Sequence, residues 1–358
     1  MTNRILAFTS LLSVFAAVSG SSSLAADVTT AACKPDDRAS YICGLRNAED
    51  LIHIKNTSWV LAGQVGPPPT DGGAYFINSK DGAVRKAAPD FSLPAAKPYA
   101  ACPGAPGAET FSSHGLSIRY GTASVHEVLA INHNGRESIE VFDLDVTKAV
   151  PRLAWKGCVI APPSMNPNSV AAVPGGGFVV TSFGIRTDPQ TYERGVTGGV
   201  SGFVAEWSPT VGWSELPGTQ LVLNNGIVAS DDGKRLFITT WGDSKLHVIS
   251  RGEIPHTHQT IGLPAFHPDN VRMLADGKLL IAGQSGDPSA IFACSRQPVC
   301  TAGFKVVRLD PETAVATPLL DEPGSAVFGG ASVAIAVGNE LWVGTFRGDR
   351  VARYKLRQ

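Results

Sequence analysis

Four short polar clusters stand directly before apolar runs in this 358-residue sequence. They are Glu49-Asp50 ahead of Leu51-Ile52, Asn168-Ser169 ahead of Val170-Ala171, Asn225-Gly226 ahead of Ile227-Val228, and Asp269-Asn270 ahead of Val271. A single cluster of this kind is ordinary turn chemistry, because Asn and Asp side chains satisfy nearby backbone groups. Four of them at the same point relative to a strand suggest a common destination. Glu49 and Asp269 are 220 residues apart, or four steps of 55 if they fall on the first and fifth of a series of equal units, with Asn168 and Asn225 on the third and fourth. Oxygen donors gathered in this way suit a hard cation, and Ca²⁺ takes about six to eight oxygens from carboxylates, amide carbonyls and water. Glu49 and Asp269 would bring two negative charges, and Asn168, Asn225 and Asn270 would bring neutral oxygens.

The elements that must position these residues are short strands. Apolar or alternating runs at 127–132, 177–181, 235–240, 278–282 and 340–345 adjoin turn signals such as Asn134-Gly135, Asp232-Gly233, Asp276-Gly277 and Gly338-Asn339. Each reads as a strand joined to a tight turn. The stretch 231–249 matches 337–354 in outline, and 134–144 carries a looser version of the second half. A repeated turn, strand, polar turn and strand is the pattern of propeller blades. The reading is all-β, one propeller domain over residues 27–358. A single β-sandwich is not expected to extend over so long a chain.

Composition agrees. The 38 Gly and 25 Pro disfavour long helices, and a 43% hydrophobic fraction is enough for a buried core. Thirty Lys and Arg against 31 Asp and Glu leave a net charge of −1, which excludes an electrostatic grip on nucleic acid. Arg4, the apolar run 5–18 and Ser23-Leu24-Ala25-Ala26 read as a secretory signal over residues 1–26, cleaved near Ala25 or Ala26 and directing the chain to the periplasm or outside the cell. Removing residues 1–26 of the 358 leaves 332, a sixth of which is again about 55. No later segment approaches a membrane span. In an oxidising compartment the six cysteines are expected to pair. Cys33 with Cys43 and Cys294 with Cys300 would close local loops, leaving Cys102 and Cys158, but spacing leaves all the connectivities open. Gly-x-Ser-x-Gly, the phosphate-binding Gly-x-x-x-x-Gly-Lys-Ser/Thr loop and His-Glu-x-x-His are all absent, which disfavours a serine α/β-hydrolase, a P-loop enzyme and a zincin.

Six segments together resemble the successive signatures of the paraoxonase/arylesterase family, within the gluconolactonase-like superfamily. They are Glu49-Asp50, Ser113-His114-Gly115-Leu116-Ser117, Val128-Leu129-Ala130-Ile131-Asn132-His133, Asn168 to Val173, Asn225-Gly226-Ile227 and Asp269-Asn270-Val271. The resemblance covers about residues 43–356 and is strongest over 114–145. It implies a six-bladed β-propeller with a catalytic Ca²⁺ at one mouth of a central tunnel, ligated by Glu49, Asn168, Asn225, Asp269 and Asn270. It also implies a histidine pair, His114 and His133, and hydrolysis of lactones with aryl esters as secondary substrates. In such a pair a neutral imidazole accepts a proton from attacking water while its partner sets the tautomer. His53, His126, His247, His256, His258 and His267 match no family position and read as structural.

The departures concern a second Ca²⁺, which the family holds in part with an Asp where this chain has Ser169. Asp50 and the Leu116 carbonyl would then hold no ion, a weaker one, or water. No cysteine stands near the last strand, so closure is expected from strand pairing, with the Cys33 to Cys43 region held locally. The segment 184–203 reads as a polar, Gly-rich loop in place of a lid helix, and specificity is assigned to the mouth loops 66–73, 184–200 and 284–304. Two other functions stay open: a non-hydrolytic enzyme of the strictosidine synthase-like kind, which need not keep the histidine pair, and a binding propeller whose Ca²⁺ is a structural plug.

Overall fold

The computed structural model describes residues 33–70, 73–253 and 256–356. The expected signal over 1–26 lies outside the described residues, as does part of the 66–73 loop. Strand β1 (Ser40–Cys43) belongs to the last sheet formed. The first sheet is β2 (Leu51–His53), β3 (Trp59–Gly63), β4 (Ala74–Asn78) and β5 (Val84–Lys86). The second is β6 (Ser113–Arg119), β7 (Val125–Asn132), β8 (Ser138–Asp145) and β9 (Arg152–Ile160). The third is β10 (Met165–Ala172), β11 (Phe178–Ile185), β12 (Phe203–Ser208) and β13 (Gly212–Glu215). The fourth is β14 (Asn224–Ala229), β15 (Arg235–Thr240), β16 (Lys245–Ser250) and β17 (His258–Gly262). The fifth is β18 (His267–Met273), β19 (Leu279–Ser285), β20 (Gly303–Asp310) and β21 (Val315–Glu322). The sixth runs β22 (Ala331–Val337), β23 (Glu340–Thr345), β24 (Arg350–Lys355) and then β1, antiparallel to β24.

The first strands of the sheets contact one another in a closed ring, β2 to β6, β10, β14, β18, β22 and back to β2. This is a six-bladed β-propeller, and the four polar clusters lie on blades one, three, four and five, as their spacing predicts. Between blades the faces are apolar: Leu61, Phe76, Leu116, Val128, Phe142 and Trp155 form one such layer. The two matching sequence stretches, 231–249 and 337–354, cover the second and third strands of blades four and six. Closure is by strand pairing, with Cys33 bonded to Cys43 beside it. The other disulfides are Cys102–Cys158 and Cys294–Cys300.

Two glycines let the inner strands meet. A Cβ on Gly115 would fall 2.6 Å from the Asn168 carbonyl oxygen, and one on Gly226 would fall 2.5 Å from that of Asp269. Both contacts are with backbone of the next inner strand, so even alanine would force the blades apart.

Candidate functional site

The inner strands are not regular. Pairing with the second strand slips between Ser113 and Leu116, between Pro167 and Val170, between Asn224 and Ile227, and between Pro268 and Val271. A bulge of this kind sets two residues against one and re-aims their side chains. His114, Asn168, Asn225, Asp269 and Asn270 all lie within these slips. Glu49 arrives differently, from the turn that precedes β2. Asn47 there takes a left-handed φ of 47°, which Asn tolerates, while the Thr345 N–H binds the Ala48 carbonyl and the Ser332 hydroxyl binds that of Glu49.

All five expected cation ligands are buried, at or just before the inner strands of blades one, three, four and five. Asn270 Nδ2 donates to Glu49 Oε1 at 2.8 Å across 221 residues of sequence. Among the described residues five buried side-chain oxygens have no hydrogen-bond partner: Asn224 Oδ1 and, from the expected ligands, Glu49 Oε2, Asn168 Oδ1, Asn225 Oδ1 and Asn270 Oδ1. An orphaned buried oxygen costs about 1–3 kcal/mol, and a cation is one partner that would satisfy such oxygens. Burial, and then the charge of Glu49, push the Asp269 carboxyl well above the usual carboxylate range. Two carboxylates with three amide oxygens form a hard-oxygen donor set, and they fit Ca²⁺. Among the described residues there is no cluster of three or more His, Cys, Asp or Glu that could hold a metal ion.

Residues outside the sequence motifs fix the cage. Gln284 on β19 donates to Asp269 Oδ2 at 2.7 Å and to the Ala331 carbonyl at 2.8 Å, and its own carbonyl accepts from Trp241 Nε1 at 2.7 Å. The hydroxyls of Thr181 and Thr239, on the second strands of blades three and four, donate to the Asn225 and Asp269 carbonyls on the next blade. The sequence signal for the threonines is a Thr near the end of each apolar second strand. Gln284 carries no such mark.

His114 and His133 form a pair, with His114 Nδ1 2.8 Å from His133 Nε2. His114 Nε2 lies 3.5 Å from Glu49 Oε1, so the pair adjoins the oxygen cage. Burial opposes the charged form of His114, yet the carboxylates of Glu49, Asp269 and Asp50 prevail and raise its pKa. A cation held among those carboxylates would offset that influence and favour the neutral imidazole. His133 is lowered, chiefly by burial.

Beside the pair opens a cavity of about 430 Å³, lined by both histidines, Asn166, Pro167, Asn168, Phe183, Tyr192 and Phe292. Tyr192 belongs to a short helix, α1 (Thr191–Val196), inside the segment expected to be only a Gly-rich loop. Phe292 is on α2 (Pro288–Cys294), which Asp287 caps and the Cys294–Cys300 disulfide pins. Two-turn and shorter helices leave little periodicity to read, which is why neither stands out in the sequence. Asn166 Nδ2 donates to the Tyr192 hydroxyl oxygen at 2.7 Å, leaving that hydroxyl's own proton to donate elsewhere.

The region around Asp50 and Leu116, where the loss of a carboxylate at Ser169 put a second ion in doubt, is arranged around Arg272. Asp50 Oδ2 accepts the Leu116 N–H at 2.7 Å, and Oδ1 accepts the Leu51 N–H at 2.8 Å and an ion pair from Arg272. The Arg272 guanidinium also reaches the Leu51 and Leu116 carbonyls at 3.1 and 3.4 Å. Its positive charge therefore already occupies the acceptors that a second ion would take. Ser169 is engaged elsewhere, its hydroxyl accepting the Ile227 N–H at 3.3 Å between blades three and four.

No protein-family model matches the chain, and no curated protein matches its sequence. Solved structures do match. A gluconolactonase of Xanthomonas campestris is 13% identical with a TM-score of 0.53, over 89% of this chain and 90% of that one. The PQQ-bound aldose sugar dehydrogenase of Streptomyces coelicolor is 15% identical with a TM-score of 0.53, over 90% and 99%. A luciferin-regenerating enzyme is 12% identical with a TM-score of 0.52, over 88% and 95%. At these identities the likeness is one of fold.

Proposed function

We propose that this protein is a Ca²⁺-dependent hydrolase of lactones, with aryl esters as secondary substrates, of the paraoxonase/arylesterase kind. One observation carries the reading: Glu49, Asn168, Asn225 and Asn270 each carry a buried, unpartnered side-chain oxygen, and a histidine pair lies against Glu49 at the edge of an aromatic cavity. Glu49, Asn168, Asn225, Asp269 and Asn270 would hold the ion. When bound, Ca²⁺ polarises a carbonyl and stabilises the negative charge that develops on its oxygen. Phe183, Tyr192 and Phe292 bind the apolar part of the substrate and exclude bulk water. His114 accepts a proton from the attacking water at Nε2, and His133 orients the ring through Nδ1. A non-hydrolytic propeller enzyme has no need of this pair, so its presence favours hydrolysis. Export to an oxidising compartment belongs to the same reading and accords with the three disulfides.

The test is a panel of γ- and δ-lactones and phenyl esters assayed in Ca²⁺ and in EGTA, with circular dichroism recorded in both. Turnover in Ca²⁺ that disappears in EGTA, with the fold intact, is expected. No turnover of any member, or turnover indifferent to EGTA, would overturn the reading.

A further inference from the structure

The histidine pair does not end at His133. Its Nδ1 lies 2.6 Å from Glu137 Oε2, and the other oxygen of that carboxylate, Oε1, is bound by Arg186 Nη1 at 2.7 Å. Glu137 stands in the turn between β7 and β8, and its carbonyl accepts the Ala161 N–H at 3.0 Å. Arg186 follows β11 of blade three, its N–H on the Ser164 carbonyl at 2.8 Å. The carboxylate is thus held from two blades.

The Glu137 contact bears on where the protons of the neutral pair sit. An ionised carboxylate only accepts hydrogen bonds, so His133 must carry its proton on Nδ1. The neutral ring then presents a lone pair at Nε2, and that lone pair accepts the proton on His114 Nδ1. With Glu49 turned to a bound cation, the neutral His114 ring would then keep its free lone pair at Nε2, the nitrogen 3.5 Å from Glu49 Oε1. We propose that Glu137 is a positioning residue that sets the polarity of the whole chain, an inference that rests on the hydrolytic reading of the site. As the oxygen of water bonds to the acyl carbon, one of its protons passes to His114 Nε2. The His114 Nδ1 proton can shift to His133 Nε2, and the resulting imidazolium faces Glu137. When the acyl carbon to oxygen bond breaks, the proton returns through His114 Nε2 to the departing alkoxide or phenoxide.

An amide at position 137 should reverse this order. In Glu137→Gln, Arg186 keeps the side-chain carbonyl and turns the NH₂ toward His133 Nδ1, which must then accept. The His133 proton moves to Nε2, His114 Nδ1 becomes an acceptor, and the His114 proton is placed on Nε2, where it blocks the base. A wrong-tautomer defect elsewhere costs about 10⁴-fold in kcat, and here, with the base one ring further away, a loss of about 10²- to 10³-fold is expected.

The experiment measures kcat, KM and Ca²⁺ affinity for the wild type, Glu137→Gln and Glu137→Asp, together with ¹⁵N NMR of the histidine rings. Support is a kcat loss of that size in Glu137→Gln with KM and Ca²⁺ affinity within about threefold, partial recovery in Glu137→Asp, and a His133 resonance that changes from the Nδ1–H to the Nε2–H tautomer. A kcat within threefold of wild type in Glu137→Gln, or an Nε2–H tautomer of His133 in the wild type, would overturn it. If the wild type hydrolyses nothing, the hydrolytic reading fails by itself, and the NMR measurement still decides whether Glu137 sets the tautomers.

Discussion

Replacing Arg272 by Gln should destabilise the protein in a manner that depends on pH. The Asp50 side chain is fully buried, and Arg272 is its ion-pair partner. Removing one member of a buried pair typically costs about 3–5 kcal/mol, because the remaining charge is stranded. Two backbone N–H groups, of Leu51 and Leu116, still bind the Asp50 carboxylate in the variant and keep the cost near the lower end, about 3 kcal/mol. Even with Arg272 present, burial pushes the Asp50 carboxyl up to about 6, and loss of the guanidinium raises it further. A carboxyl raised above its unfolded value near 4 contributes stability at low pH that is lost as pH climbs through the folded value. The penalty in Arg272→Gln should therefore be small at pH 5, where Asp50 takes up a proton, and approach about 3 kcal/mol at pH 8. Urea unfolding of wild type and variant at both pH values, with saturating Ca²⁺ throughout, measures the difference. A loss below about 1 kcal/mol at pH 8, or one equal at the two pH values, would refute the view that Arg272 neutralises Asp50.

Three further outcomes follow from the same geometry. His114→Gln should lose on the order of a hundredfold or more in lactone turnover with Ca²⁺ affinity retained, and His133→Gln should lose less; steady-state kinetics with calorimetry distinguishes them. His247 is buried beside His258 with its pKa lowered to about 4, mainly by burial and then by the neighbouring imidazole. A depressed value contributes stability above the unfolded 6.5 that is lost as pH falls toward 4, up to about 3 kcal/mol in all, so His247→Gln should flatten the urea midpoint between pH 6.5 and 4.5. Phe292→Ala should raise KM for aryl esters several-fold more than it lowers kcat, since Phe292 lines the cavity but carries no group for proton transfer.

The blade repeat made much of this architecture legible in the sequence. Glu49, Asn168, Asn225 and Asp269 recur in phase with the strands, and phase alone places them at one end of a ring. Turn chemistry at Asp232-Gly233 and Gly338-Asn339 likewise marks the hairpins of blades four and six. What stayed hidden has no periodic signature. Arg272 reads as one more polar residue on a half-buried strand until the ring closes and sets it against Asp50, 222 residues away. Gln284 and Glu137 act through single contacts that depend on which residues the bulges and turns present. Helix α2 is held by the Asp287 cap and the Cys294–Cys300 disulfide, and α1 has only six residues and no side-chain cap, so neither offers a periodic apolar face and 184–203 resembled a loop.

Titration calorimetry of EGTA-stripped protein decides whether Glu49, Asn168, Asn225, Asp269 and Asn270 hold one Ca²⁺. The account predicts one tightly bound ion per chain, and loss of that tight binding in both Glu49→Gln and Asp269→Asn, since each removes one of the two negative charges of the cage. Unchanged affinity in both variants, or no binding by the wild type, would contradict it.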